Sequence, residues 1–192
     1  MITLINENTR LNMIFIITGP SGSGKTTLAS GLVERCEYLS KVVTHTTRKQ
    51  REGEVDGVHY HFVTEEAFNI LFWDGALVEY AQVYGNYYGT SLRALQEVWD
   101  VKKEPVLVAD IQGALWWKEI SAFDVKVIFL MPPSQKELVG RISDRSDQMA
   151  RLFSASEEIN KCAEKADLVV PAGTIEGTLD RVEKFIIDQK GI

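Results

Sequence analysis

The chain has 192 residues, which fits one domain with a core large enough to need no disulfide or metal staple. Hydrophobic residues make up 45% and charged residues 25%, the balance of a globular protein, which excludes general disorder, collagen and coiled coil. Twenty-one Lys and Arg against 27 Asp and Glu leave a net charge of −6, the wrong sign for a general nucleic-acid binder. The two cysteines, Cys36 and Cys162, stand far apart and outside any metal-ligand spacing, so they read as buried thiols of a reducing cytosol. No apolar run reaches membrane-spanning length. Residues 1–12 read as a polar leader without signal-peptide features, and Met13 is an alternative start. A cytoplasmic protein with no nucleic-acid or membrane partner is the expectation.

Strand-like apolar runs alternate with helix-period segments, the pattern of a parallel sheet flanked by helices. Met13 to Thr18 is a β-branched and aromatic strand ended by the Gly19-Pro20-Ser21-Gly22 turn. Gly24 to Cys36 reads as a helix with Leu28, Leu32 and Val33 toward the core. The stretch 44–91 breaks the alternation; it is rich in Gly, Tyr and charge, and reads as an inserted module with antiparallel strands at Val78 to Tyr84 and Asn86 to Gly89. Val106 to Asp110 and Val125 to Met131 are continuous apolar runs, as buried parallel strands should be. Trp116-Trp117 reads as core packing on a helix. Pro132-Pro133 stops the second run, and Ser134 with Glu137 is a capping-box signature. Residues 141–158 are polar and helical, with three arginines. Asp167 to Val170 is a last strand, and Thr174 to Gln189 a closing helix with Ile175, Leu179, Val182 and Ile186 on one face. The core then comprises 13–43, 92–140 and 159–192.

Gly19-Pro20-Ser21-Gly22-Ser23-Gly24-Lys25-Thr26, followed by Thr27, fits G-x-x-x-x-G-K-[ST] in full, with a strand before it and a helix after it. Its glycines let successive N–H groups point at one oxyanion, and the helix N-terminus adds partial positive charge. Lys25 is expected to reach the β- and γ-phosphates of a nucleotide, and Thr26 to ligate Mg²⁺. The motif alone does not separate a GTPase, an ATPase and a small-molecule kinase.

A second phosphate-bearing ligand is implied by the inserted stretch. Thr46-Thr47-Arg48-Lys49-Gln50-Arg51-Glu52-Gly53-Glu54-Val55-Asp56-Gly57 sets two arginines three residues apart on a turn. Tyr60, Glu79-Tyr80-Ala81 and Gly85-Asn86-Tyr87-Tyr88-Gly89-Thr90-Ser91 follow. Arginine forks and tyrosine hydroxyls suit a phosphate monoester. Tyr87 reads instead as a packing aromatic. His45, His59 and His61 carry no triad or metal pattern and read as surface or turn residues.

These motifs, together with Asp110-Ile111-Gln112-Gly113-Ala114, make the sequence from Met13 to about Ile187 resemble guanylate kinase. The resemblance implies an α/β fold of the P-loop nucleoside monophosphate kinase type, with a GMP-binding module at 44–91 and a short lid at 141–158. It implies transfer of the γ-phosphoryl group of ATP to GMP, with Mg²⁺ as cofactor, by a monomer or homodimer. Arg48, Arg51, Tyr60 and Tyr88 would hold the GMP phosphate, and Glu54 would support the arginines. Thr44, Glu79, Thr90 and Asp110 would surround the guanine. Lys25, Arg48 and the lid arginines Arg141, Arg145 and Arg151 would be catalytic. The chemistry agrees: guanine presents adjacent N1–H and N2–H₂ donors, and a carboxylate such as Glu79 is the fitting acceptor.

The resemblance has its departures. Val108 stands where the family has the first acid of an Asp-x-Asp pair, Gln50 replaces a proline, the lid is trimmed between Arg145 and Arg151, and Ala172 replaces an asparagine on the adenine side. A non-catalytic guanylate-kinase-like interaction domain is the alternative, opposed by the intact Gly24-Lys25-Thr26. A sugar-phosphate kinase ranks last, because Glu79 and the Tyr-Tyr element would have no purpose in one.

Overall fold

Strand β1, Met13–Thr18, sends alternate side chains to opposite faces, and both faces are buried. The computed structural model describes residues 13–20, 22–83, 85–119, 123–131, 155–171 and 173–191. In chain order the elements after β1 are α1 (Lys25–Arg35), β2 (Leu39–Lys41), β3 (His45–Thr46), β4 (His61–Phe62), α2 (Glu65–Trp73) and β5 (Leu77–Val83). Then come β6 (Asn86–Ser91), α3 (Leu92–Asp100), β7 (Glu104–Val108), α4 (Ile111–Glu119), β8 (Asp124–Leu130), α5 (Ala155–Lys165), β9 (Leu168–Val170) and α6 (Ile175–Lys190).

Among the described residues, β2-β7-β1-β8-β9 form a five-stranded sheet in that order, and every pairing in it is parallel. Phe15 and Ile17 pack with Leu28 and Leu32 of α1 and Leu179, Val182 and Ile186 of α6. Ile14 and Ile16 pack on the other face with Leu95 and Val98 of α3 and Trp117 of α4. Gly31 lets α1 meet α6 closely: a Cβ there would lie 2.9 Å from Leu179.

A second sheet, of order β4-β3-β6-β5, is built from the stretch 44–91. Its β5–β6 hairpin is antiparallel, as expected, but its β3–β4 pair is parallel. The sequence reading missed α2, whose signal is the Thr64 cap, with Oγ1 accepting from the Ala67 N–H, and acids at Glu65 and Glu66. No residue separates β6 from α3; Ser91 ends the strand and caps the helix by accepting from the Ala94 N–H.

Several side chains depart from expectation. Ile175 is 46% exposed because it occupies the first turn of α6, beyond the cover of the sheet. Trp116 is 45% exposed, since adjacent helix positions cannot share one face; Trp117 alone is buried. His45 and His61 are neither free surface nor turn residues. They are neighbours on β3 and β4, with ring centroids 4.8 Å apart. Burial, and then His61, lower the His45 pKa. The strand expected at Val106 to Asp110 ends at Val108, and Asp110 instead precedes α4, its Oδ1 accepting from the Gly113 N–H. Ser21, Pro132-Pro133, Ser134, Glu137, Arg141, Arg145, Arg151 and Ala172 lie outside the described residues.

Candidate active site

The phosphate loop joins β1 to α1. Gly22 and Gly24 have φ of 81° and 91°, and Gly19 has φ of 148°. A Cβ on Gly19 would fall 2.6 Å from the Leu130 carbonyl oxygen, so the loop is pressed against the end of β8. Gly24 caps α1 in the left-handed region with no side-chain bond to the helix N–H groups. Those N–H groups therefore remain for an anion. Lys25 curls back over the loop, its Nζ donating to the Gly19 and Pro20 carbonyls at 2.8 and 2.9 Å. Thr26 and Thr27 are exposed on the first turn, and the Ser23 hydroxyl is buried without a partner among the described residues.

A guanidinium site forms where β3 leaves the second sheet. Arg48 donates to Glu54 through both terminal nitrogens, at 2.7 and 3.0 Å. Its guanidinium lies 5.5 Å from the Tyr60 ring centre, and Tyr60 meets Tyr88 edge-on at 6.1 Å. The Arg51 N–H also donates to Glu54, at 2.8 Å, while its side chain points into solvent-accessible space. Burial alone would raise the Glu54 carboxyl pKa; the Arg48 bonds and the Arg51 N–H outweigh it and hold the pKa below the usual value. Burial raises the Tyr60 pKa. Thr46 and Thr47, which the sequence reading left without a role, lace β3 to β6: Thr46 Oγ1 donates to the Tyr87 carbonyl, and Thr47 Oγ1 accepts from the Tyr87 N–H. Thr46 Oγ1 also accepts from the Arg48 N–H. Tyr87 stacks on Phe68, the packing role expected of it.

Farther along the same sheet, Glu79 is 7% exposed. Its Oε2 accepts from Thr90 Oγ1 at 3.2 Å and from Trp117 Nε1 at 3.3 Å. Gly113 admits the carboxylate at close range; a Cβ there would sit 2.9 Å from Oε1 and 3.7 Å from Asp110 Oδ2. Burial first, and the Asp110 charge second, push the Glu79 pKa up to about 7 against the two hydrogen bonds. Glu79, Thr90 and Asp110 are thus brought together. Thr44 precedes β3 and is half-buried, with its carbonyl accepting from the His61 N–H. The Trp117 contact escaped the sequence reading; its signal is that a buried indole N–H needs an acceptor.

A cavity of about 260 Å³ opens beside the phosphate loop, lined by Ser23, Gly24 and Thr27 on one side and Pro171, Gly173 and Thr178 on the other.

Comparison with known proteins agrees with this geometry. The family model described as guanylate kinase matches residues 12–189. A guanylate kinase of Clostridium perfringens (strain SM101 / Type A) is 39% identical over 99% of this chain and 89% of its own length. One of Histophilus somni (strain 129Pt) is 41% identical over 87% of this chain and 84% of its own. The crystal structure of guanylate kinase from Anaplasma phagocytophilum superposes with a TM-score of 0.78 at 35% identity, covering 94% of this chain and 87% of that one. A phosphate loop at one sheet and a buried carboxylate with an arginine fork at the other thus occur in a chain that belongs to the guanylate kinase family.

Proposed function

We propose that the chain transfers the γ-phosphoryl group of ATP to GMP, giving ADP and GDP. The observation that carries this reading is a spacing on the second sheet. Thr90 pairs with Glu79 and Tyr88 with Ala81, so Tyr88 and Thr90 share one face of β6. Two residues along a strand span about 7 Å, a distance that suits the base and the phosphate of one nucleotide. Glu79 would accept from the guanine N1–H and N2–H₂, with Thr44, Thr90 and Asp110 around it. Arg48, Arg51, Tyr60 and Tyr88 would bind the phosphate, with Glu54 orienting the Arg48 fork.

Donor phosphates would take over the Lys25 ammonium from the loop carbonyls and occupy free N–H groups of the loop and the first turn of α1. The cavity beside the loop would take the donor's base. The residues present fit Mg²⁺. The cradle has no room for a side chain at Gly19, and Thr26 offers a hard oxygen on an exposed first turn; such an ion needs few protein ligands when phosphate supplies others. Bound there by Thr26, it would neutralise charge on the phosphates. The acceptor is already an ionised oxygen, so no general base is required. Catalysis is then positioning and charge stabilisation by Lys25, Arg48 and the lid arginines Arg141, Arg145 and Arg151.

All these groups come from one polypeptide, which suits a monomer and tolerates a homodimer. Among the described residues no helix is long and apolar enough to cross a membrane. Cys36 and Cys162 are buried free thiols, in keeping with a cytoplasmic location. No observation favours the non-catalytic alternative. A coupled assay with ATP against GMP, AMP, dGMP and no acceptor tests the reading. Turnover with GMP and little with AMP is expected, and equal rates with GMP and AMP would refute it.

A further inference from the structure

Trp117 is wholly buried on α4, and it is the largest of the fully buried side chains. Its ring is fixed by Phe123 at 5.8 Å and by Trp116, edge-on, at 6.2 Å. An indole held this way has one direction in which to spend its N–H, and that direction is Glu79 Oε2. Thr90 donates to the same oxygen. Among the described residues no donor reaches Oε1, which lies over the bare α-carbon of Gly113. The carboxylate is therefore gripped by one oxygen and open at the other.

We propose that Trp117 is a positioning residue for base recognition: with Thr90 it clamps Oε2, so that the Glu79 carboxylate holds one orientation and presents its remaining lone pairs to the guanine donors. The inference rests on the assignment of Glu79 to the base. Among the described residues the groups that face Glu79 are Asp110 ahead of α4, Thr90 on β6 and Trp117 on α4, and none of them is a cation. Each of the two hydrogen bonds thus counts in keeping the carboxyl ionised. Without the indole donor the proton is held more tightly, and the ionised form retreats to higher pH.

The test compares Trp117→Phe, which keeps an aromatic filler and loses the donor, with Trp116→Phe in the full chain. In Trp117→Phe the KM for GMP is expected to rise about five- to tenfold, with KM for ATP and kcat held. The acid limb of kcat/KM for GMP should move to higher pH. The preference for GMP over IMP, which lacks the exocyclic amine, should shrink. Trp116→Phe should change none of these. A lower melting temperature for Trp117→Phe with unmoved GMP KM and acid limb would make Trp117 a core filler and overturn the inference. A wild-type chain that neither binds nor phosphorylates GMP would overturn the substrate reading as well. Spectra of the ¹⁵N-labelled indoles need no Trp117 variant: one N–H resonance should titrate with Glu79 in the wild type and stay fixed in Glu79→Gln. Identical indole titrations in the two proteins would overturn the clamp.

Discussion

Arg48 and Glu54 meet as a two-bond fork, 2.7 and 3.0 Å long, within a single turn-rich segment and against the Tyr60 ring. The pair is mostly buried, with side-chain exposures of 13% and 17%, so desolvation offsets much of its attraction. Its consequence is geometric, because it fixes the plane of the guanidinium before any phosphate arrives. Arg48→Ala is expected to weaken GMP binding by about 2–3 kcal/mol, the scale of charged hydrogen bonds to phosphate. Guanosine affinity should barely change. Calorimetry with both ligands checks this, and equal losses would show that Arg48 does not read the phosphate.

Lys25 donates to two carbonyls of the phosphate loop itself. Lys25→Ala should abolish turnover and leave GMP affinity within about threefold, roughly 0.7 kcal/mol. Loss of GMP binding by a folded Lys25→Ala chain would contradict two separate sites.

Glu79 carries the pH dependence. Its pKa rises from 4.5 to about 7 on folding, so between these values the folded chain holds a proton that the unfolded chain has lost. The Glu79 contribution to stability therefore falls as pH climbs from about 4.5 to 7 and levels off above, opposite in sign to that of His45, whose pKa is lowered. Glu79→Gln should remove that slope in denaturant titrations run across this range. Guanosine, which brings no titrating phosphate, is expected to release protons on binding below pH 7, because it selects the ionised carboxylate. Calorimetry in buffers of different ionisation enthalpy counts them, and Glu79→Gln should count none.

Donor choice is expected to be loose. The resemblance implies a lid trimmed between Arg145 and Arg151 and an asparagine at the position of Ala172, while the Gly19 to Thr26 motif is complete in sequence. The KM for GTP should lie within about tenfold of that for ATP, a gap of roughly 1.4 kcal/mol. Ala172→Asn should favour ATP, because a side-chain amide pairs with adenine's donor and acceptor. Competition between donors at saturating GMP measures both effects. A wild-type preference of several hundredfold for ATP would sink the idea.

The phosphate loop was legible because its whole geometry is encoded in eight consecutive residues between a strand and a helix. The parallel core was legible for a similar reason: strands buried on both faces must be continuously apolar, as β1, β7 and β8 are. The proposed base site was less legible. Glu79, Thr90 and Asp110 come from two strands and a helix start, and only strand register brings them together. Family spacing named them; periodicity did not. The partner of Glu79 stayed hidden because Trp116 and Trp117 are adjacent on α4, and the sequence does not say which of them turns inward. Ile175 fits the apolar stripe of α6, yet as the first residue of that helix it lines the cavity beside the phosphate loop and is not packed in the core. Helix α2 was masked by the Gly, Tyr and charge of its surroundings.

The direct passage from β6 into α3 has a mechanical consequence. The chain crosses between the two sheets at 42–44 and again at Ser91–Leu92, and the second crossing is a joint with no linker and a buried strand end. Thr90 is the residue next to the joint. Through α3, whose Ala94, Leu95 and Val98 are buried in the core, Thr90 and the Glu79 oxygen that it bonds are tied to the parallel sheet. The base would be read from a point anchored to the same sheet that carries the phosphate loop.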